Sequence, residues 1–126
     1  MNETEAGKEI VKISYKTGDY LGETIDRDDR RALVRVLAVL RHPTQGDLHS
    51  SYDPDVAIFH ERRALAHTEK VWVPIQTAKP YEGEIPDYRE SLRAALAAEQ
   101  ERTDRLKRWA ERCLDNLETL RKDYGL

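Results

Sequence analysis

Cysteine is almost missing from this chain of 126 residues: Cys113 stands alone. No intramolecular disulfide can staple the fold, and a reducing compartment is the matching environment. Long apolar runs are missing too. Nothing approaches the ~20 residues a membrane-spanning helix needs, and the opening MNETEAGKEI is acidic and polar, without the apolar stretch of a signal peptide. The expectation is a soluble, cytoplasmic protein. An excess of one charge sign is also lacking. The chain has 21 Lys and Arg against 24 Asp and Glu, a net charge of -3, with 12 basic and 13 acidic residues up to Pro80 and 9 and 11 after it. Neither part offers the basic footprint that phosphate-backbone binding requires, so nucleic acid is not an expected partner. Leu, Ile, Val and Phe total only 27. That is just above the one-fifth level below which disorder becomes the default, so the core is lean but sufficient for one domain.

What is present is ordered along the chain. Residues 1–7 read as a disordered lead-in, residues 8–80 as a small β-domain, and residues 81–126 as a linker with helices. From Glu9 to Tyr15, Val11, Ile13 and Tyr15 alternate with polar residues at the period of a half-buried strand. Lys16-Thr17-Gly18-Asp19 supplies turn chemistry, with Gly18 expected to take the positive φ of a tight hairpin. A second strand follows over Tyr20–Ile25, then a charged turn over Asp26–Arg30. The third strand, Arg31–Leu40, is the most apolar and is rich in β-branched valine. His42-Pro43 ends it, because proline cannot donate to a ladder. A loop over Thr44–Asp55 precedes a short strand expected at Val56–Phe59. Val71–Ile75, interrupted by Pro74, fits a sheet edge. Short strands with tight turns in this length suggest a strongly bent sheet or SH3-like β-barrel.

Helical signals dominate after Pro86. Asp87 with Glu90 forms a start like a capping box, and no Gly or Pro intervenes before Gly125. Tyr88, Leu92, Ala95 and Leu96 make one apolar face. Leu106, Ala110, Cys113, Leu117, Leu120 and Tyr124 make another at strict four-three spacing, with Trp109 and Leu114 beside it. The polar run Glu99–Arg105 separates them. One continuous helix would carry Glu99 and Thr103 in mid-stripe, whereas a break near Gln100–Asp104 would let the pieces fold back as a helical hairpin. The hairpin is the expectation.

All four histidines, His42, His49, His60 and His67, and the sole phenylalanine, Phe59, fall between Arg41 and Lys70. Their gaps are wide and irregular, and a zinc site needs three or four converging ligands. His60-Glu61 opens like a zinc-protease motif, but Ala64 stands where the second histidine belongs. Asp53-Pro54-Asp55 is too short for a calcium loop. Ser50 and Ser51 lie beside His49 without a nucleophile elbow, and Cys113 sits in an amphipathic stripe where a core role is commoner than a reactive one. Asp28 and Asp29 sit in a charged turn, and there is no Gly-rich phosphate loop. No enzymatic activity, cofactor or metal is expected. Arg62-Arg63 beside Phe59 and His60 is more suggestive, since arginine and aromatic residues dominate binding hot spots. The duller alternative is that each arginine simply pairs with a nearby carboxylate. Tyr81, in the loop Lys79–Tyr88, has the same ambiguity between binding surface and packing linker.

Several strings resemble one family, the kinase-associated lipoprotein B family of spore-forming bacilli. They are Thr17-Gly18-Asp19-Tyr20-Leu21-Gly22-Glu23, VLAVLRHPTQGD (36–47) with Leu48-His49, FHERRALA (59–66), KPYEGEIPDYRESL (79–92) and Lys122-Asp123-Tyr124. The resemblance covers nearly the whole chain from about Gly7. It implies an SH3-like barrel followed by a helical hairpin. It also implies a non-catalytic accessory role for a membrane sensor histidine kinase that feeds the sporulation phosphorelay. This chain departs from the family pattern twice: no cysteine near its start matches a lipobox, and Gln100–Arg105 replaces a Ser/Asp/Pro turn between the helices. The expected partner is therefore a sensor histidine kinase or another phosphorelay component. It would bring the protein to the inner face of the membrane without a lipid anchor of its own. The contact surface is expected on Arg41, His42, Gln45, Asp47, His49, Phe59, His60, Arg62, Arg63 and Tyr81. The rival is a small-molecule- or metal-binding barrel using His42, His49, His60 and Asp47. The four-three stripe would also suit a homodimer.

Overall fold

The computed structural model describes residues 9–126, so the expected disordered lead-in at 1–7 lies outside the described residues. Five antiparallel strands, β1 (Ile10–Tyr15), β2 (Gly18–Arg27), β3 (Arg31–Arg41), β4 (Lys70–Pro74) and β5 (Lys79–Pro80), form one sheet in the order β4-β3-β2-β1-β5. A single 3-10 turn, Ile75–Thr77, joins β4 to β5, and the chain ends in one helix, α1 (Tyr88–Asp123). The class is therefore β plus α. The barrel expected from the strand spacing is not closed, because β4 and β5 remain the two edges of an open sheet. Three register shifts between β2 and β3 bend it; such bulges raise the local twist. Residues 56–59, expected as a short strand, are irregular.

The first hairpin corrects the glycine assignment. Tyr15 pairs with Gly18, so the two-residue turn is Lys16-Thr17, with φ of 45° and 71°. Two successive positive φ angles are the type I′ pattern whose twist matches the strands it joins. Gly18 serves a different need. A methyl group there would come within 2.5 Å of Tyr20 Oη, so the missing side chain makes room for the tyrosine.

The core cluster gathers residues from β1, β2, β3 and β4. Val11, Ile13, Tyr20, Val34, Val36, Val39 and Val73 are buried, and Leu65 and Ala95 close over them. On β2, Glu23 is also buried. It lies opposite Arg35 of β3, and a 2.7 Å bond between them makes the carboxylate tolerable there.

α1 starts where the capping signal placed it, with Asp87 accepting from the Glu90 amide at 3.2 Å. Tyr88, Leu92 and Ala95 pack on the core. Ser91, buried among them, accepts the Val39 amide at 2.9 Å on the stretch of β3 that β4 does not reach. A side-chain hydroxyl thus replaces the missing ladder partner of a strand edge.

The expected helical hairpin is corrected: α1 runs unbroken for 36 residues. The supposed break holds helix-supporting pairs instead. Glu99 grips Arg102 at 3.0 and 2.6 Å, Thr103 donates to the Glu99 carbonyl, and Asp104 holds Arg108 at 2.8 Å. Polar residues with i,i+3 and i,i+4 partners extend a helix when no Gly or Pro stops it. Among the described residues no helix is long and apolar enough to cross a membrane.

Candidate functional site

The connection between β3 and β4, residues 42–69, is long for a small domain. Connections of this length without regular structure are commonly functional. It is not slack. Gln45 acts as an artificial ladder rung, accepting the Arg62 amide at 2.6 Å while its own amide donates to the Arg62 carbonyl at 2.8 Å and to the Pro43 carbonyl at 3.1 Å. Gly46 continues the rung by donating to the His60 carbonyl at 2.9 Å. The Arg62 guanidinium donates to the carbonyls of Thr44 (3.2 Å) and Gly46 (2.9 Å). Gly46 itself has φ 99°, and the Phe59 ring lies where a side chain would stand. Glycine is required there on both counts.

The loop exits through Leu65, which is pinned from two sides. Its amide donates to Tyr20 Oη at 3.2 Å, and its carbonyl accepts from the Tyr88 hydroxyl. Burial raises the pKa of both tyrosines above the usual 10.0. Tyr88 also stacks on His67, with ring centres 5.2 Å apart.

Between this clamped loop and α1 lies an open groove of about 1130 Å³. Six of the expected contact residues line it: His42, Gln45, Asp47, Phe59, Arg62 and Arg63. The facing wall comes from α1 and carries Leu96, Arg102, Leu106 and Lys107. Tyr52 bridges the walls: its hydroxyl is 3.5 Å from Arg102, whose guanidinium lies 6.0 Å from the ring centre. Phe59 is 59% exposed and Tyr52 67%, so two large aromatic surfaces face solvent beside guanidinium groups.

The other expected residues stand apart. Arg41 lines a smaller neighbouring cavity of about 360 Å³, with Asp19 and Ser14, and Asp47 and Arg62 lie between the two hollows. His49 and His60 are exposed and line neither hollow. Tyr81 sits beyond the opposite edge of the sheet, where its amide donates to Ile10 and its hydroxyl to the Glu84 carbonyl at 2.9 Å. The helical wall is the part missed from sequence. Leu96 and Leu106 belong to the two apolar faces read from the sequence, and an apolar stripe on a helix says nothing about what covers it.

Chemically, the groove offers exposed aromatic and apolar area with guanidinium and carboxylate groups on both walls. Among the described residues no three His, Cys, Asp or Glu side chains gather as metal ligands, and His42 Nδ1 rests 3.0 Å from the Pro43 carbonyl. Arg62 has two backbone carbonyls as its partners and holds the loop's shape. Phe59 and Arg63 are the freer members of the pair of types that dominate interfaces.

Comparison with known proteins finds relatives over nearly the whole chain. The family model described as "Kinase associated protein B" matches residues 15–125. A Bacillus subtilis (strain 168) protein named kinase-associated lipoprotein B is 48% identical over 125 residues, which is 98% of this chain and 97% of that one. The X-ray crystal structure of kinase-associated protein B from Bacillus cereus is 42% identical, with a TM-score of 0.65, and the match covers 94% of this chain and 96% of that one.

Proposed function

The chain belongs to the kinase-associated protein B family, and from that premise we propose that it is a non-catalytic adaptor for a sensor histidine kinase of the sporulation phosphorelay. The groove between the 42–63 loop and α1 is the docking surface. The observation that carries this reading is the loop clamped between Gln45 and Arg62, which leaves Phe59 and Tyr52 largely exposed on a groove that Arg63 and Arg102 also line. Exposed aromatic rings on a stiff backbone bind with little ordering cost. The kinase brings the protein to the inner face of the membrane, and neither a cofactor nor nucleic acid takes part. The metal-binding alternative has less support, since among the described residues no three His, Cys, Asp or Glu side chains gather as ligands.

The test is a titration of the purified chain against the cytoplasmic region of such a kinase. Phe59→Ala with Arg63→Ala should weaken binding at least ~30-fold, the size of a hot-spot loss of about 2 kcal/mol, with the unfolding midpoint unchanged. Arg62 stays intact in this design, because its removal would loosen the loop and blur the result. Unchanged affinity in the folded double variant refutes the site. No binding by the unsubstituted chain refutes the adaptor role.

A further inference from the structure

Beyond the adaptor role, we propose that α1 pairs antiparallel with α1 of a second copy of this chain, forming a two-fold dimer centred near Asp115. Beyond Asp104 the helix leaves the sheet behind, and its apolar residues face solvent: Leu106, Trp109, Leu114, Leu117, Leu120 and Tyr124 are each 40–68% exposed. The four-three spacing continues unchanged through this free segment, giving the seam of a two-stranded coiled coil about 27 Å long.

The order of sizes along the seam identifies the occupant. It runs large, small, small, large, large, large: Leu106, Ala110, Cys113, Leu117, Leu120, Tyr124. Set antiparallel about residue 115, Ala110 meets the partner's Leu120, Cys113 meets the partner's Leu117, and Leu106 meets the partner's Tyr124. Each small side chain faces a large one, as close packing demands. Leu114 then lies against the partner's Leu114 at one edge of the two-fold axis, with Asn116 on the partner's Asn116 at the other. This accounts for an exposed leucine that lies off the seam. Trp109 falls beside the partner's Asp123. The one adverse contact brings Lys107 near the partner's Arg121, and Glu118 already holds Arg121 at 3.1 and 2.6 Å in each chain.

A parallel pair fails the same examination. It sets Ala110 on the partner's Ala110 and Cys113 on the partner's Cys113, leaving two consecutive underfilled layers whose atoms lose their dispersion contacts. It also brings Arg102 near the partner's Lys107. The seam is thus complementary to itself in one direction only, which is the requirement for an isologous interface. Leu106 and Lys107 both begin the seam and line the groove, so the partner's Tyr124 lands at the groove mouth.

Light scattering on the full chain at tens to hundreds of micromolar should give about twice the 14.6 kDa of one chain. Leu117→Glu should halve that mass while helical signal and sheet unfolding stay unchanged. Under mild oxidation the unsubstituted chain should form little disulfide dimer, because the pairing staggers the two Cys113 residues by about 6 Å along the axis. Leu117→Cys should convert nearly all protein to a dimer with position 117 bridged to the partner's Cys113, identified by peptide mass spectrometry. A single-chain mass at the highest concentration overturns the proposal and leaves the stripe to a different protein. A dimer that survives Leu117→Glu, or a dominant bridge from Cys113 to the partner's Cys113, also overturns it.

Discussion

The two halves of α1 carry the same spacing of apolar residues and meet opposite fates. From Tyr88 to Ala95 the stripe lies on β3 and closes the core, and Ser91 bonds the strand edge. From Leu106 to Tyr124 an equally regular stripe leaves its large apolar residues 40–68% exposed. Periodicity states that a helix has a face to cover; the length of the sheet decides how much of that face one chain can cover. Removing the same kind of apolar bulk from each region should separate the two fates most clearly. Ile13→Ala, at a site 1% exposed, should cost about 2–5 kcal/mol in urea denaturation. Leu117→Ala in dilute protein should cost under about 0.5 kcal/mol, with a loss that grows as concentration rises and the second copy binds. Equal losses at the two sites in dilute protein would erase the distinction between the halves.

Hydroxyl groups on α1 show the same difference at a smaller scale. Ser91→Ala leaves the Val39 amide buried without its acceptor, which should cost about 1–3 kcal/mol. Thr119 donates back to the Asp115 carbonyl four residues earlier, on the exposed half. Such back-bonding offers a helix little, and alanine is the better helix former, so Thr119→Ala should be neutral or slightly stabilising. Thermal melts of the two variants side by side decide it. A Ser91→Ala protein as stable as its parent would mean that water replaces the hydroxyl at the edge of β3.

Strand positions were legible because burial on one face leaves a period-two record: Val11, Ile13, Val34, Val36, Val71 and Val73 all point inward as their alternation required. The turn is not legible at Gly18, since a glycine signals either a positive φ or a close approach and the sequence does not say which. The continuity of α1 is hidden because the polar run Glu99–Arg105 looks like a linker, whereas Glu99 pairs with Arg102 and Asp104 with Arg108 one turn on. Half of the candidate site was within reach, on the loop side. The Gln45–Arg62 clamp and the helical wall were not, because both depend on which distant segments meet, and a side-chain amide standing in for a ladder rung leaves no periodic trace.

The smallest effect concerns pH, and it isolates the buried half of α1 from the exposed one. Tyr20 and Tyr88 hold the two ends of the Leu65 peptide against sheet and helix, and desolvation by burial raises both hydroxyl pKa values above 10.0. For a raised folded-state pKa, the native protein keeps its proton where the unfolded chain has lost it. The folded state therefore binds more protons just above pH 10, and stability must fall as pH rises through that window. Below pH 10 both states are protonated, so the contribution is fully present and flat across the neutral range. Urea midpoints measured from pH 8 upward should stay level from these two groups and then decline beyond 10. Tyr20→Phe should lower the neutral midpoint, because the Leu65 amide loses its acceptor, and should make the alkaline decline shallower. Parallel alkaline slopes in parent and variant would show that the hydroxyl at the centre of the core does not govern the loss, and that the loop over Leu65 is held by packing alone.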